Sequence, residues 1–322
     1  MIKRLAIVVP CYNEEEALPD TDKVLNDLMK DLVKREVVKP NSFILYVNDG
    51  SMDKTWDVIK NAYKNSEYVH GLNLAGNKGH QNALLAGLMQ VKDEVDVTIS
   101  IDADLQDDVG VIEEMVEKYY AGCDIIYGVR NDRTSDSGFK KFTAEAFYKL
   151  MNYMGAKTVY NSADFRLMSN RALDELSLYS ETHLFLRGLA PELGFKTDCV
   201  YYKRSPRLKG ESKYPLKKML SFAFNGVTSF SDKPLTLILY LGFIAILIAI
   251  IAVIYSLVQH ASGNTIQGWT SLFASIWFIG GVQLVCLGVI GQYVGKIFIE
   301  TKKRPRYYIE SYLSHKEKTN EK

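Results

Sequence analysis

What the chain lacks narrows its chemistry first. Its 322 residues contain no GxGxxG, no GxxxxGK[ST], no HExxH and no GxSxG. These absences argue against a classical dinucleotide fold, a phosphate-cradling P-loop, a zinc peptidase helix and a nucleophile elbow. Cysteine is sparse, and Cys11, Cys123, Cys199 and Cys286 form no CxxC pair. They read as core thiols in a reducing compartment, not as bridges or a zinc site. A net charge of +1 gives no bulk electrostatic case for nucleic acid. The LAIVVP run after Met-Ile-Lys-Arg is too short for a signal peptide. Repeats and low-complexity segments are missing too, and only the last dozen or so residues read as disordered.

Charge is missing locally as well. Pro234 to Val258 and Ser271 to Gly295 contain no Asp, Glu, Lys or Arg. Each run exceeds the ~20 apolar residues that cross a hydrocarbon core of about 30 Å as a helix. Two transmembrane helices are therefore expected, in a region covering 233–299. Lys213, Lys217, Lys218 and Lys233 precede the first run, and Lys296, Lys302, Lys303, Arg304 and Arg306 follow the second. The connecting QHASGNTIQGWT carries neither Lys nor Arg. The positive-inside rule then puts both chain ends in the cytoplasm. Gly291 and Gly295 form a GxxxG pair that permits close helix packing, including with a second copy of the chain.

The remainder is charged and alternates in pattern. Short runs rich in β-branched residues at 5–10, 43–48, 69–74, 97–102 and 124–129 read as strands. Amphipathic stretches at roughly 15–35, 54–64, 80–91 and 109–121 lie between them. That alternation predicts an α/β fold, a mostly parallel sheet with helices on both faces. Ligands of such sheets bind beyond the carboxyl ends of the strands, where PCYNEE, NDGS and DADLQ occur. A further helix is expected over 137–152. The basic segment 203–218 leads into a stretch where Leu216, Leu220, Phe224 and Val227 share one helical face. It reads as an interfacial helix over 209–232, with a soluble amphipathic helix as the alternative. The boundaries expected are a cytoplasmic domain over 1–208, that juxtamembrane helix, the spans, and a basic tail over 300–322.

The segment SIDADLQDD places Asp102, Asp104, Asp107 and Asp108 after an apolar strand. One of them is explained as the cap of the next helix. Asp102 and Asp104 alternate faces on a regular strand, so both reach one ligand only at a strand end or turn. There they suit magnesium or manganese, which take carboxylate, water and phosphate oxygens. Gln106 adds a carbonyl. Glu15 and Asp107 read as surface or capping residues, and His80, opening the third helix, as structural.

VVPCYNEE (8–15), VNDGSMDKT (47–55), DADLQD (102–107) and NSADFRLM (161–168) together resemble the polyisoprenyl-phosphate glycosyltransferases of glycosyltransferase family 2. The likeness continues through RLKGESKYPLKKML, SFSDKPL and GQYVGKIFIETKKRPRY, in the expected order over nearly the whole chain. It implies a GT-A-type domain, a nucleotide-sugar donor and a polyprenyl phosphate acceptor at the cytoplasmic membrane face. By resemblance, Pro10, Tyr12, Glu14 and Asp49 hold nucleobase and ribose. Asp102, Asp104 and Gln106 form the metal and diphosphate site, with Asp104 the direct ligand. Arg130, Arg207 and Lys213 supply cations to the acceptor phosphate and donor diphosphate, and Asp164 acts as base or orienting residue. On the residues alone, Pro10 and Tyr12 also fit a plain turn, Asp49-Gly50 a routine turn dipeptide, and Arg130 and Arg207 solvated charges.

The reaction so implied is an inverting hexosyl transfer, from a UDP-sugar in preference to GDP-mannose. Undecaprenyl phosphate is the expected acceptor, and glucose is favoured over N-acetylglucosamine. Two spans are too few for a transport path, so a separate flippase and a downstream glycosyltransferase are expected partners. The alternatives are a processive polysaccharide synthase, whose QxxRW motif is missing here, and a non-catalytic membrane-anchored nucleotide-binding scaffold.

Overall fold

The computed structural model describes residues 2–131, 159, 161–181, 186–204, 233–262 and 268–315. The helices expected over 137–152 and 209–232, and with the latter Arg207 and Lys213, lie outside the described residues. The chain divides into two compact units. One comprises residues 1–153, 157–218 and 305 onward; the other contains the long apolar helices.

The first unit is built on an eight-stranded sheet. Its strands are β1 (Leu5–Cys11), β2 (Phe43–Asn48), β3 (Val69–Leu74), β4 (Val97–Ser100), β5 (Ile125–Arg130), β6 (Ser162–Ser169), β7 (Thr197–Tyr202) and β8 (Ile309–Leu313). Their order is β7-β5-β6-β4-β1-β2-β3-β8. The five strands expected from apolar runs are β1 to β5, each within a residue or two of its expected bounds. β1 pairs in parallel with β2 and β4, β2 with β3, and β5 with β7. β6 runs against both β4 and β5, and β8 runs against β3. Six strands thus point one way and two the other.

Helices α1 (Leu18–Lys34), α2 (Thr55–Asn65), α3 (His80–Val91) and α4 (Ile112–Tyr120) fill the crossovers between parallel strands. Strand alternation sorts them. Leu5, Ile7, Val9 and Cys11 of β1 join one core with Leu18, Leu25, Met29 and Leu32 of α1 and Ile112 and Met115 of α4. Val8 of β1 and Val47 of β2 face α3 instead, at Gly87. Both faces of the central strands are apolar because both are covered. Two short helices follow, α5 (Asn170–Ser177) and α6 (Leu186–Glu192). Ser169 caps α5 by accepting from Ala172 N at 3.3 Å.

Five residues of the basic tail form β8, which runs into the last dozen residues read as disordered. Pairing on β3 covers what would otherwise be the open edge of the sheet. All four cysteines are free, two of them buried. The second unit carries α7 (Lys233–Ala261) and α8 (Trp269–Thr301). Among the described residues, the stretch Phe278–Thr301 of α8 is long and apolar enough to cross a membrane, and Ile238–Ile248 of α7 is a shorter apolar stretch.

A Cβ at Gly87 would stand 2.5 Å from Val8 Cγ1 and 2.7 Å from Val47 Cγ2, so the absent side chain sets how closely α3 approaches the sheet. Gly87→Val, which gains little helix propensity, is expected to cost about 2–3 kcal/mol through overpacking. Denaturant unfolding checks this, and a variant as stable as the parent protein would refute the close-approach account.

Candidate active site

Strand order reverses at β1, which has β2 on one side and β4 on the other. Ligands of open α/β sheets bind at such a point. The loops leaving β1, β2 and β4 there turn sharply: Asn13, Gly50 and Leu105 all have positive φ, at 54°, 62° and 51°. Gly50 has a second constraint, since a Cβ on it would lie 2.5 Å from the backbone carbon of Gly76.

The first two loops are stitched together. Asn13 N donates to Ser51 Oγ at 3.0 Å, and Met52 N donates to Asn13 Oδ1 at 2.9 Å. Glu14 N donates to Thr55 Oγ1, and the exposed Glu15 accepts from Lys54 N just ahead of α2. Pro10 is buried within β1, whereas Tyr12 projects into solvent. Asp49 is buried, and its two carboxylate oxygens accept from Lys78 N at 2.7 Å and Gly79 N at 2.9 Å. Burial raises its pKa, and those two amides work against the shift. Of the four residues expected around nucleobase and ribose, Tyr12, Glu14 and Asp49 therefore sit on two adjoining loops, and Pro10 lies near the end of the buried β1 that leads into the first.

The four aspartates after β4 have separate fates. Asp108 caps the 3-10 turn Val109–Val111 ahead of α4, accepting from Gly110 N at 2.9 Å. Asp107 is not the surface residue expected. It is 2 % exposed and accepts from Arg130 Nε at 3.1 Å, Arg130 Nη2 at 2.8 Å and the Tyr202 hydroxyl at 2.6 Å. All three bonds fall on Oδ1; Oδ2 is buried, with no hydrogen-bond partner among the described residues. Burial accordingly raises the Asp107 pKa, while Arg130 opposes it. Arg130, expected to meet phosphate, is thus committed to holding the aspartate turn. Gln106 directs its amide oxygen to Arg204 Nη2.

Asp102 and Asp104 remain at the strand end. Asp104 Oδ1 accepts from Gln106 N at 3.2 Å. Asp102 Oδ1 meets His80 Nε2 at 2.9 Å. Burial would raise the Asp102 pKa, but the His80 hydrogen bond and charge bring it below the usual range. Burial likewise opposes charge on His80, yet Asp102 and Asp164 raise its pKa. His80 is therefore part of the acidic cluster and not merely the first residue of a helix.

Asp164 reaches this cluster through β6. Ser100 pairs with Arg166 at the end of the antiparallel β4–β6 ladder, and His80 lies between the two carboxylates, its Nε2 2.9 Å from Asp102 Oδ1 and its Nδ1 3.9 Å from Asp164 Oδ2. Ser100 Oγ fixes the junction by donating to Asp164 O at 2.5 Å. Asp164 is 4 % exposed. It accepts a two-pronged contact from Arg187, Nε to Oδ1 and Nη2 to Oδ2, both at 3.0 Å, and a third bond from Gln81 Nε2 at 3.2 Å. Burial pushes its pKa up, but Arg187, His80 and Arg166 win and hold it at about 2. No local motif marks Arg187 or Gln81, because α6 and α3 meet Asp164 only through the fold.

A hard divalent cation fits this geometry in one way. Among the described residues no group of three or more His, Cys, Asp or Glu side chains could hold a metal. A turn bearing two carboxylates suits an ion that takes one or two protein oxygens and completes its shell with substrate phosphate and water.

Arg187 is 35 % exposed, so its pairing with Asp164 is partly screened. Arg187→Ala removes the largest of the groups that compensate the buried carboxylate, leaving His80, Arg166 and Gln81, and is expected to cost about 1–3 kcal/mol at pH 6. The Asp164 pKa is lowered, so the stability it contributes is complete above an unfolded value of about 3.9 and is lost as pH falls towards 2. The gap between parent and variant should stay constant from pH 6 to about 4 and narrow below that. Thermal unfolding across this range tests it; a gap that widened on acidification would contradict the pairing.

Residues 6–177 match the family model described as Glycosyl transferase family 2. The chain is 51% identical over 306 residues to an uncharacterized glycosyltransferase, YkoT, of Bacillus subtilis (strain 168), covering 95% of this chain and 91% of that protein. It is 39% identical over 311 residues to the bactoprenol glucosyl transferase of Shigella phage SfX, covering 96% and 99%. It is 38% identical over 309 residues to the prophage bactoprenol glucosyl transferase homolog of Escherichia coli (strain K12), covering 95% and 98%. With a match over more than half its length and relatives aligned almost end to end, the chain belongs to glycosyl transferase family 2, and its sheet-containing unit is a GT-A-like α/β domain.

Proposed function

We propose that this glycosyltransferase moves a glucosyl group from a nucleotide sugar to a polyprenyl phosphate, with inversion, at the cytoplasmic face of a membrane. The observation that carries the chemistry is the aspartate turn Asp102–Asp104 beside the ionised, clamped Asp164. Glucose and bactoprenol come from the two relatives named for that transfer, which align over nearly their whole lengths. UDP-glucose is the favoured donor and undecaprenyl phosphate the favoured acceptor.

In this scheme the loops after β1 and β2 hold the nucleoside, through Tyr12, Glu14 and Asp49 with Pro10 shaping the turn. The diphosphate lies at Asp102 and Asp104. A magnesium or manganese ion bound there would neutralise charge on the departing diphosphate. Arg130 acts indirectly, keeping the aspartate turn in place through Asp107. Neutralising the two phosphates then falls to Arg207 and Lys213 in the basic segment before α7.

A phosphate oxygen of the lipid attacks the anomeric carbon while the bond to the nucleoside diphosphate breaks. The lipid phosphate carries roughly 1.5 to 2 negative charges near neutral pH and needs no general base. Asp164 suits that requirement, since a carboxylate held at about pKa 2 is a weak base. Its Arg187 and Gln81 contacts fix its oxygens, so we assign it to orienting the sugar or acceptor. A single displacement with no second nucleophile inverts the anomeric centre.

We also propose that α7 and α8 both span the membrane, with the flanking lysines and arginines on the cytoplasmic side. Delivering a polyprenyl phosphate requires an enzyme at the head-group level. The product then needs a separate flippase and a downstream glycosyltransferase to reach a cell-envelope glycan.

The test offers the detergent-solubilised protein undecaprenyl phosphate with labelled UDP-glucose, UDP-N-acetylglucosamine or GDP-mannose. Label should enter the lipid phase from UDP-glucose, vanish with chelator and return with added magnesium or manganese. Asp104→Ala should lower the rate by about 10²–10³-fold, the scale set by losing one electrostatic contact to the transition state. No transfer from any donor to an accessible lipid would rule out the acceptor.

A further inference from the structure

The segment that follows α8 in the chain reaches the donor side of the site. β8 pairs with β3 with Asn73 opposite Ser311 and Leu74 opposite Ile309. One step along β3 therefore matches two along β8, and Glu310 is the extra residue of a bulge. Bulges re-aim side chains, often beside active sites. Here Glu310 Oε2 accepts from Asn73 Nδ2 at 2.5 Å.

That contact begins a chain of hydrogen bonds. Asn73 Oδ1 accepts from Asn48 Nδ2 at 2.6 Å, across the β2–β3 register that pairs these two residues. Asn48 Oδ1 then accepts from Ser51 N at 3.3 Å, closing the turn that holds Asp49 and Gly50. Both asparagines are buried. Amide side chains can flip, but an ionised carboxylate only accepts. Glu310 thus fixes which end of Asn73 faces it, Asn73 fixes Asn48, and Asn48 presents an oxygen to the Ser51 amide. The other flank of Asp49 is tied to the same segment. Tyr308 O accepts from Ala75 N at 3.0 Å, at the start of the loop whose Lys78 and Gly79 amides bind the Asp49 carboxylate. The Lys78 ammonium lies 5.9 Å from the centre of the Tyr308 ring.

We infer that Glu310 is a positioning residue for the nucleotide end of the donor, setting the polarity of the Asn73–Asn48 relay that shapes the Asp49 turn. This rests on the reading of Asp49 as a donor-binding residue. A strand that merely shields a sheet edge would need no carboxylate at this position, and exposed charge of either sign serves that purpose, lysine especially.

The polarity of the relay makes an ordered prediction. Glu310→Gln can still present an oxygen to Asn73 and should bind donor within about twofold of the parent. Glu310→Ala leaves the amides free to flip and should weaken binding about fivefold. Glu310→Lys offers only donors, would reverse both amides and set Asn48 Nδ2 against the Ser51 N–H, and should weaken binding tenfold or more, on the order of one lost buried hydrogen bond. Tyr312→Phe disturbs β8 packing at its hydroxyl contacts with His70 and Glu94 and should lower thermal stability without moving donor affinity.

Titration of the full-length protein in detergent with UDP and with GDP, alongside thermal unfolding and the donor KM against kcat, reads all four. The supporting result is the order Gln, Ala, Lys in nucleotide affinity and donor KM, with little change in kcat and none of the ordering in melting temperature. If the parent binds nucleotide and the Glu310 variants bind equally well, the inference falls and the Asp49 reading stands. The inference also falls if Tyr312→Phe weakens binding as much as Glu310→Ala. If the parent binds neither nucleotide, the donor-site reading fails and the inference fails with it.

Discussion

The structure turns on the antiparallel insertion of β6 between β4 and β5. A plain succession of parallel crossovers would place β5 next to β4 and leave the Asp102–Asp104 turn with no carboxylate opposite it. Because β6 runs the other way, its beginning meets the end of β4, and Asp164 and Asp102 both come within reach of His80. Like charges so placed repel, and each would raise the pKa of the other. The fold answers with basic groups from three elements: the imidazole of His80 at the start of α3, whose pKa the carboxylates raise, Arg187 on α6 and Arg166 on β6 itself. Compensation is strong enough that Asp164 stays ionised at about pKa 2 despite near-complete burial.

That compensation divides the acidic residues by task. Asp108 is spent on a helix start and Asp107 on Arg130 and Tyr202. Asp164 is clamped by Arg187 and Gln81. Asp102 and Asp104 stand at the turn where a diphosphate and its cation would lie. A clamped, ionised carboxylate is a fixed negative charge and a poor proton acceptor, which agrees with the proposed phosphate nucleophile that needs no base. Arg130 illustrates the reverse case. The family resemblance implies a phosphate ligand at Arg130, and on the residues alone it reads as a solvated charge, but burial of Asp107 creates a charge that must be paired, and Arg130 pairs it.

The sequence was most legible where period and composition agree. β1 to β5 are apolar runs covered on both faces, and α1 to α4 alternate with them, so their order and direction follow from chain pattern. β6 escaped because Asp164 and Arg166 sit in the middle of it; a buried central strand with two charged residues carries no apolar signature. β8 escaped for the opposite reason, since an edge strand of IESYL in a basic tail is too short and polar to announce itself. Pro10, Tyr12, Glu14, Asp49, Asp102 and Asp104 were singled out by a family resemblance in short motifs, and the structure puts those motifs at the carboxyl ends of β1, β2 and β4. Arg187, Gln81 and the role of His80 were not, because their contacts join residues 22 to 105 positions apart and no local spacing encodes such a meeting.

The placement of β8 has a consequence for what counts as the domain. In chain order the two long apolar helices lie between β7 and β8, yet both strands belong to one sheet. The α/β unit is therefore discontinuous, closed only when the chain returns at Pro305. A fragment ending before α7 would keep every aspartate of the site but would leave the β3 edge unpaired, with its row of open amides and carbonyls. It would also remove the carboxylate that Asn73 donates to and the carbonyl that holds Ala75, loosening both flanks of Asp49. The sheet edge and the loops that carry Asp49 are thus stabilised by the same short segment, Tyr308 and the strand that follows it, and the geometry around Asp49 depends on sequence from both sides of the apolar helices.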